Sequence, residues 1–148
     1  RKVMEPHVIP EFTFLAAIGA VVVALLYIWL SSLVKEPERR KLSAIIVAGA
    51  GAAYLSGGLG AWEFAFCTLI TFLAYKGLEN YHYIAIAWLL HTCWDLMHHF
   101  YAHPIVPFEA SSSAGCAVCD TILAIWFFMG APPLKEWFGY RKNNLKPA

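Results

Sequence analysis

The chain has 148 residues, of which 59% are hydrophobic and only 14% are charged. A soluble domain carries about 25% charged residues, so this composition excludes an ordinary soluble enzyme, a disordered chain and a nucleic-acid-binding protein. The mean hydropathy of +0.56 is typical of a chain whose surroundings are mostly lipid, whereas the net charge of +1 says little by itself. The length corresponds to one domain, which we expect to cover residues 1–148. We therefore predict an all-α fold, a polytopic integral membrane helical bundle.

Five apolar segments predict five transmembrane helices. The first holds no charged residue over more than 20 positions, and about 20 residues at about 1.5 Å each cross a bilayer core of about 30 Å. A polar turn over residues 35–41 follows it. The second segment is rich in alanine and glycine, which lets helices approach closely in lipid, and Ser111, Ser112 and Ser113 are predicted to cap the fifth. The predicted spans are residues 12–34, 42–59, 61–76, 81–102 and 114–130.

The basic residues orient these spans, because cytoplasmic loops of membrane proteins carry an excess of Lys and Arg. With the turn at residues 35–41 inside, nine of the eleven Lys and Arg residues are cytoplasmic, and only Arg1 and Lys2 are outside. We therefore predict a multi-pass protein of the plasma (inner) membrane with its N-terminus outside and its C-terminus in the cytoplasm. The chain begins with Arg1, which leaves room for a segment upstream. The predicted inside set is Lys35, Arg39, Arg40, Lys41, Lys76, Lys135, Arg141, Lys142 and Lys146.

Ionisable side chains inside the predicted spans indicate a functional site, because such groups are costly in lipid. Helical residues turn by about 100° each, so four residues of the fourth span fall on one arc of about 100°. Glu63 on the third span and Asp120 on the fifth are expected at a similar depth, in the outer half of the bilayer. The sequence thus predicts one pocket formed by acids and imidazoles from three helices. The four residues on the arc are His91, Asp95, His98 and His99.

Neutral imidazoles and carboxylates together form common ligand sets for transition metals. We predict a divalent metal ion, zinc first with iron or copper as alternatives. Asp120 and Glu63 are the predicted catalytic groups, which complete the coordination shell or act as a general base on metal-bound water. The predicted metal ligands are His91, Asp95, His98 and His99.

Three other interpretations of these polar residues stay open. A His and an Asp four residues apart can form a buried pair that only locks helices together. The same groups can form a path for protons or ions. Cys116 and Cys119 can add thiolate ligands to a metal or form a disulfide on an oxidising outer side.

The sequence HTCWDLMHH at residues 91–99, followed by SSAGC at residues 112–116, carries a resemblance to a known family. The chain resembles a bacterial family of small integral membrane proteins catalogued only as a domain of unknown function. This resemblance implies the fold and the membrane location, and no activity. A weaker likeness, in chemistry alone, is to membrane hydrolases of the alkaline ceramidase and adiponectin-receptor type. Those proteins set His and Asp around zinc on seven spans, where this chain has about five.

Three functions from different classes follow as alternatives. The first is a metal-dependent membrane hydrolase or oxidoreductase that acts on a lipid or a small apolar substrate. The second is a transporter or channel subunit in which the glycine-rich segment 57–60 is unwound backbone that lines a cavity. The third is an accessory subunit of a larger membrane complex or a homo-oligomer. The expected partners are the lipid bilayer, such a substrate and such an assembly, with no nucleic acid.

Overall fold

The computed structural model describes residues 8–56, 58–106 and 108–136. Within these ranges the chain forms five α-helices and one 3₁₀ helix and contains no β-strand, so the predicted all-α class is confirmed. The predicted positions of Arg1, Lys2, Arg141, Lys142 and Lys146 lie outside the described residues. The elements are α1 (Phe14–Ser32), α2 (Glu38–Ala52), the 3₁₀ helix (Ala53–Ser56), α3 (Trp62–Gly77), α4 (Tyr81–Phe100) and α5 (Ser112–Phe128).

Helix α1 lies inside the first predicted span. Thr13 caps it, because its hydroxyl oxygen accepts a hydrogen bond of 3.2 Å from the amide of Ala16 and so satisfies a free amide of the first turn. In the described part of the chain, α1 is the one helix both long and apolar enough to cross a bilayer, with a mean hydropathy of 2.4. The other four α-helices are shorter or more polar, so five spans do not follow from helix length and composition alone.

Helix α2 begins inside the segment predicted to be a polar turn, so that prediction is wrong for its last four residues. The helix starts at Glu38 directly after Pro37, a position that tolerates proline because first-turn amides lack intrahelical partners. Arg39 is only 7% exposed. It donates hydrogen bonds of 2.9 Å from Nε to the carbonyl of Val34 and from Nη1 to the carbonyl of Ala131. These bonds tie the charged first turn of α2 to the segment that follows α5.

Helices α3, α4 and α5 lie within two residues of the third, fourth and fifth predicted spans. Asn80 caps α4, since its side-chain oxygen accepts a hydrogen bond of 2.9 Å from the amide of His82. The predicted serine cap of α5 is correct in position, but the predicted capping hydrogen bond is wrong. Ser111 holds the N-cap position, but it makes no capping hydrogen bond, and its hydroxyl donates to Glu109 Oε1 at 2.8 Å instead.

Successive helices run in opposite directions, so their termini alternate between two ends of the bundle. At one end, Arg40 beside the start of α2 donates to the carbonyl of Leu78 after α3 at 3.0 Å, and the hydroxyl of Tyr81 contacts the carboxylate of Glu36. We call this the basic end, because it collects every Lys and Arg of the described residues. They are Lys35, Arg39, Arg40, Lys41, Lys76 and Lys135.

The interior of the bundle is apolar near the basic end and polar in its other half. The apolar half contains Ile28, Val47, Ile70, Ile84, Trp126 and Phe127. The polar half buries Glu63, His91, Asp95, His98 and Asp120. Large apolar side chains cover the outside instead, with exposed fractions of 77% at Leu15, 55% at Phe72 and 57% at Ile125. The buried polar residues thus lie where the helices meet, and the outer surface is largely apolar.

Candidate functional site

Two aspartates on neighbouring helices meet in the polar half of the interior. Asp95 on α4 is 0% exposed and Asp120 on α5 is 6% exposed, and the two carboxyl groups lie close enough to interact electrostatically. Asp95 Oδ1 accepts a hydrogen bond from the hydroxyl of Tyr54, whereas Oδ2 meets no donor among the described residues. Because two carboxylates are both acceptors, one proton shared between Asp95 and Asp120 would give Oδ2 the partner that it lacks.

A second cluster is centred on Glu63, in the first turn of α3. Its Oε1 accepts a hydrogen bond of 3.0 Å from the amide of Leu59, and its Oε2 accepts one of 2.8 Å from the indole N–H of Trp94. His98 Nε2 lies 2.8 Å from Glu63 Oε1, but that oxygen lies off the direction of the ring N–H. The carboxylate is thus held through both oxygens, and the imidazole contacts it from the side.

Gly58 makes room for the ring of His98. Its φ of 129° is a conformation that residues with side chains rarely adopt. A Cβ atom at this position would lie 3.0 Å from Cε1 of His98 and 3.4 Å from Cγ of His103. A larger residue here would therefore push the imidazole away from its place beside Glu63.

Tyr54 joins the two clusters. It lies in the 3₁₀ helix after α2, and its hydroxyl reaches Asp95 while its ring centroid is 5.2 Å from that of His98 and 5.7 Å from that of His91. Phe66 packs against the same ring at a centroid distance of 5.3 Å. One tyrosine, 3% exposed, is therefore surrounded by three of the predicted metal ligands.

His91 is oriented by the backbone of its own helix. Its Nδ1 lies 2.8 Å from the carbonyl oxygen of Ala87, and because a carbonyl only accepts, we assign the proton of the neutral ring to Nδ1. Its Nε2 is buried and makes no hydrogen bond within the described residues. His91 thus keeps one ring nitrogen unpaired in the interior.

His99 lies apart from the other predicted ligands. It lines a separate cavity of about 360 Å³ between α4 and α5, together with Phe12, Leu96 and Thr121. Its Nδ1 is buried and has no hydrogen-bond partner in the described ranges. The arc predicted from helical spacing therefore spreads over two sides of α4.

The six predicted site residues thus form two pairs and two single residues. Asp120 lies near Asp95 and Glu63 contacts His98, whereas His91 lies beside Tyr54 and His99 lines a separate cavity. Both pairs adjoin Tyr54. Across residues 8–56, 58–106 and 108–136, no group of three or more His, Cys, Asp or Glu side chains is arranged to hold a metal ion. The arrangement is chemically a carboxyl pair beside a carboxylate–imidazole pair.

A groove between α1 and α5 leads to Asp120. It has a volume of about 290 Å³ and is lined mainly by small and apolar residues. Asp120 is 6% exposed and Cys116 and Cys119 are half-buried, so they form the inner part of the lining. Glu109, which precedes α5 near the end opposite the basic one, is exposed and therefore marks the mouth. The other lining residues are Ala16, Ala20, Val23, Ser111, Ser112 and Gly115.

Glu109 carries a negative charge at the mouth of this groove. Its Oε1 accepts hydrogen bonds from the amide of Ser111 at 3.1 Å and from the hydroxyl of the same residue at 2.8 Å. Hydrogen bonds to the ionised form favour it, so they hold the pKa of Glu109 below its usual value. The carboxylate is therefore ionised at neutral pH.

The cysteines of the site are free thiols. Cys116 and Cys119 form no disulfide, so this alternative for the pair is not realised in the structure. Cys67 on α3 and Cys93 on α4 are also free and are not part of the groove lining. Two of the four thiols thus belong to the groove lining, and the other two lie outside it.

Two side chains of the site were missed by reasoning from the sequence. Tyr54 and Trp94 supply the side-chain hydrogen bonds to Asp95 and Glu63. The available signal was weak: Tyr54 is a polar aromatic residue that interrupts a run of small and apolar residues, and Trp94 directly precedes Asp95. Helical spacing alone does not indicate which partner on another helix a side chain meets.

Comparison with known proteins gives a match to one family. The sequence model of a family of unknown function (DUF6010) matches residues 15–133. The matched range includes both clusters, Tyr54 and all residues of the groove. No curated protein and no solved structure matches the chain.

Proposed function

This chain belongs to the DUF6010 family of unknown function, and from its own residues we propose that it is a multi-pass membrane enzyme whose Asp95–Asp120 pair performs acid–base hydrolysis. The substrate is a lipid or a small apolar molecule. The observation that carries the proposal is the proximity of two buried carboxyl groups on neighbouring helices, one of which lines a groove. Buried carboxyls on two helices are costly, and such groups mark functional sites in membranes.

The distribution of apolar and basic residues supports the membrane location. Large exposed apolar side chains occur on all five α-helices, whereas soluble monomers rarely expose contiguous apolar patches larger than a few hundred Å². Every Lys and Arg of the described residues lies at the basic end, as the positive-inside rule requires of a cytoplasmic face. We therefore propose five spans in the plasma (inner) membrane, with the N-terminus outside and the aspartate pair in the outer half of the bilayer.

Two carboxyls that share one proton can supply a base and an acid in one step. The ionised carboxyl takes a proton from water as the water oxygen attacks a carbonyl carbon of the substrate, and the other carboxyl gives its proton to the carbonyl oxygen. The pair still holds one proton. That proton then passes to the leaving group as its bond to carbon breaks, and the ionised carboxyl removes a proton from one hydroxyl to restore the carbonyl. The pair ends as it began.

The two aspartates have different positions in this reaction. Asp120 lines the groove and meets the substrate, whereas Asp95 lies behind it and is held by Tyr54. Tyr54 is a positioning residue, because it engages Oδ1 of Asp95 and leaves Oδ2 free for a shared proton.

Infrared spectroscopy of the protein in lipid nanodiscs tests the pair directly. We expect a carbonyl band of a protonated carboxyl that disappears or shifts in both Asp95→Asn and Asp120→Asn, because either change breaks the pair. Hydrolysis of long-chain ester or amide probes should fall at least about 100-fold in both variants, the range typical of lost acid–base catalysis. Glu79→Gln, at an exposed site near the basic end, is the control. A band that survives both aspartate changes would disprove the pair.

A metal ion at Glu63 and His98 is a second proposal, and the proximity of two donor atoms favours it. With bonds of about 2.0–2.2 Å in tetrahedral geometry, two donor atoms on one zinc ion lie about 3.3–3.6 Å apart, so the two side chains would separate slightly to hold it. Glu63 Oε1 and His98 Nε2 are 2.8 Å apart, with the ring N–H not aimed at the oxygen. Zinc suits this mixed pair, and iron or copper are the alternatives.

Metal analysis of the purified protein distinguishes the two proposals. A bound metal at this second site is lost in His98→Ala and retained in Asp95→Ala, because Asp95 belongs to the other cluster. Metal-free protein with normal stability and intact hydrolysis would rule out the metal and leave the aspartate pair in place.

A further inference from the structure

We infer that the groove between α1 and α5 binds a small amphiphile with a positively charged head group, whose apolar part reaches Asp120. This inference rests on the proposed function, because it names the substrate class of the same site. It concerns binding, however, and can be tested without measuring hydrolysis.

The charges of the groove select the head group. The lining contains two carboxyl groups, those of Glu109 and Asp120, and it contains no Lys or Arg. Oε1 of Glu109 is fixed by Ser111, and its Oε2 makes no hydrogen bond within the described residues. A cation at the mouth would therefore meet a fixed carboxylate, whereas an anion would be repelled.

The shape of the groove sets the size of the ligand. Its volume of about 290 Å³ holds roughly ten water-sized groups. Asp120 lies eight residues after Ser112, so about 12 Å of helix separate it from the start of α5. A head group beside Glu109 therefore leaves a short apolar segment to run along Gly115 and Cys116 towards Asp120.

Small residues give this ligand its space, and they open the groove to the surroundings of the bundle. A Cβ atom at Gly115 would meet nothing within 4 Å. On the opposite wall, Ala16 and Ala20 keep α1 clear of α5, and Val23 is 57% exposed. The amphiphile can therefore move in from the lipid without passing through the protein.

The alkylation rates of the native thiols measure whether the groove is occupied. The probe is octyltrimethylammonium, added to the protein in nanodiscs of a neutral lipid, with octyl glucoside and octyl sulfate as matched neutral and anionic probes. We expect alkylation of Cys116 and Cys119 to slow about tenfold at about ten times the dissociation constant of the cationic probe. Cys67 and Cys93 should react at unchanged rates. Mass spectrometry of the peptides measures each site.

Two variants and one control test the space and the charge of the groove separately. Gly115→Leu fills the groove and should abolish the protection, while Gly49→Leu, at another helical position with nothing within 4 Å of a Cβ, should keep it. Glu109→Gln should retain the groove but lose the preference for the cationic probe. Equal protection by all three probes, protection by none, or protection that survives Gly115→Leu would each overturn the inference.

Asp95→Asn distinguishes a failure of this inference from a failure of the proposed function. Asp95 does not line the groove, so the cationic probe should still protect Cys116 and Cys119 in this variant. If protection follows the expected pattern while Asp95→Asn leaves hydrolysis unchanged, the inference stands and the acid–base function falls. If Asp95→Asn abolishes hydrolysis while no probe protects the thiols, the opposite holds.

Discussion

At the scale of single residues, Tyr54 is the group on which the aspartate pair depends. Asp95 is 0% exposed, so water cannot replace a lost donor, and the hydroxyl of Tyr54 is its hydrogen-bond donor in the described part of the chain. The same ring fills the space between His91 and His98. Removing only the oxygen would therefore leave the packing in place and remove the hydrogen bond.

Tyr54→Phe is expected to lower the free energy of unfolding by about 1–3 kcal/mol, the range for a buried acceptor left without its partner. Tyr75→Phe is the matched control, because Tyr75 is 67% exposed, and it should change stability by less than about 0.5 kcal/mol. Denaturant titration in detergent micelles measures both. Equal effects of the two changes would mean that the hydroxyl of Tyr54 contributes nothing to holding Asp95.

Helical spacing predicted which side chains of α4 share a buried face. His91, Asp95 and His98 recur at intervals of four and three residues, and all three are buried in the interior. His99 is one position further, about 100° around the helix, and so it lines a different cavity. Tyr54 could not be predicted, because a periodic pattern describes one helix and holds no information on what a second helix brings opposite.

At the scale of elements, the contact between α2 and α3 depends on Gly51. A Cβ atom there would lie 2.8 Å from Cγ2 and 3.0 Å from Cβ of Ile70. Ile70 is 0% exposed and β-branched, so it has little freedom to move aside. Gly49, on the same helix, has open space at the corresponding point. The two glycines therefore form a matched pair for testing close helix packing.

Gly51→Ala is expected to destabilise the protein by about 1–3 kcal/mol, because overpacking forces side chains or backbone to shift. Gly49→Ala should instead be neutral or stabilising by up to about 1 kcal/mol, because alanine has the higher helix propensity. Thermal unfolding of both variants in the same detergent makes the comparison. A stabilising Gly51→Ala would show that α2 and α3 separate easily.

The apolar runs predicted α1, α3, α4 and α5 to within two residues, because an uninterrupted apolar segment and a helix have nearly the same limits here. Helix α2 was harder, since its first turn is charged. Those charges do not end the helix: Arg39 bonds to two backbone carbonyls, and Glu38 lies where a helix N-terminus favours an acid. The amino-acid composition shows where an apolar run ends, whereas hydrogen bonding determines where a helix begins.

At the scale of the whole molecule, the two ends of the bundle differ in charge and in chemistry. The basic end gathers the Lys and Arg of the described residues, and the interior next to it is apolar. The other end holds Glu109 and the mouth of the groove. If lipid surrounds the helices, a ligand reaches Asp120 from the outer side, and the apolar half of the interior offers no polar route to the basic side. This arrangement is the reason why we propose chemistry at one face and not transport across the membrane.

The topology itself can be tested with one new cysteine at each end. Phe108, which is 90% exposed, lies in the loop at the groove end, and Glu38, whose side chain is 66% exposed, lies at the basic end. A membrane-impermeant maleimide added to intact cells should label Phe108→Cys above the wild-type background and leave Glu38→Cys unlabelled until the membrane is permeabilised. The physical reason is that transferring clustered Lys and Arg to the outside opposes the positive-inside rule, whereas the groove end carries no Lys or Arg among the described residues. Labelling of both thiols in intact cells would place the two ends on one side, and five antiparallel spans would then be impossible.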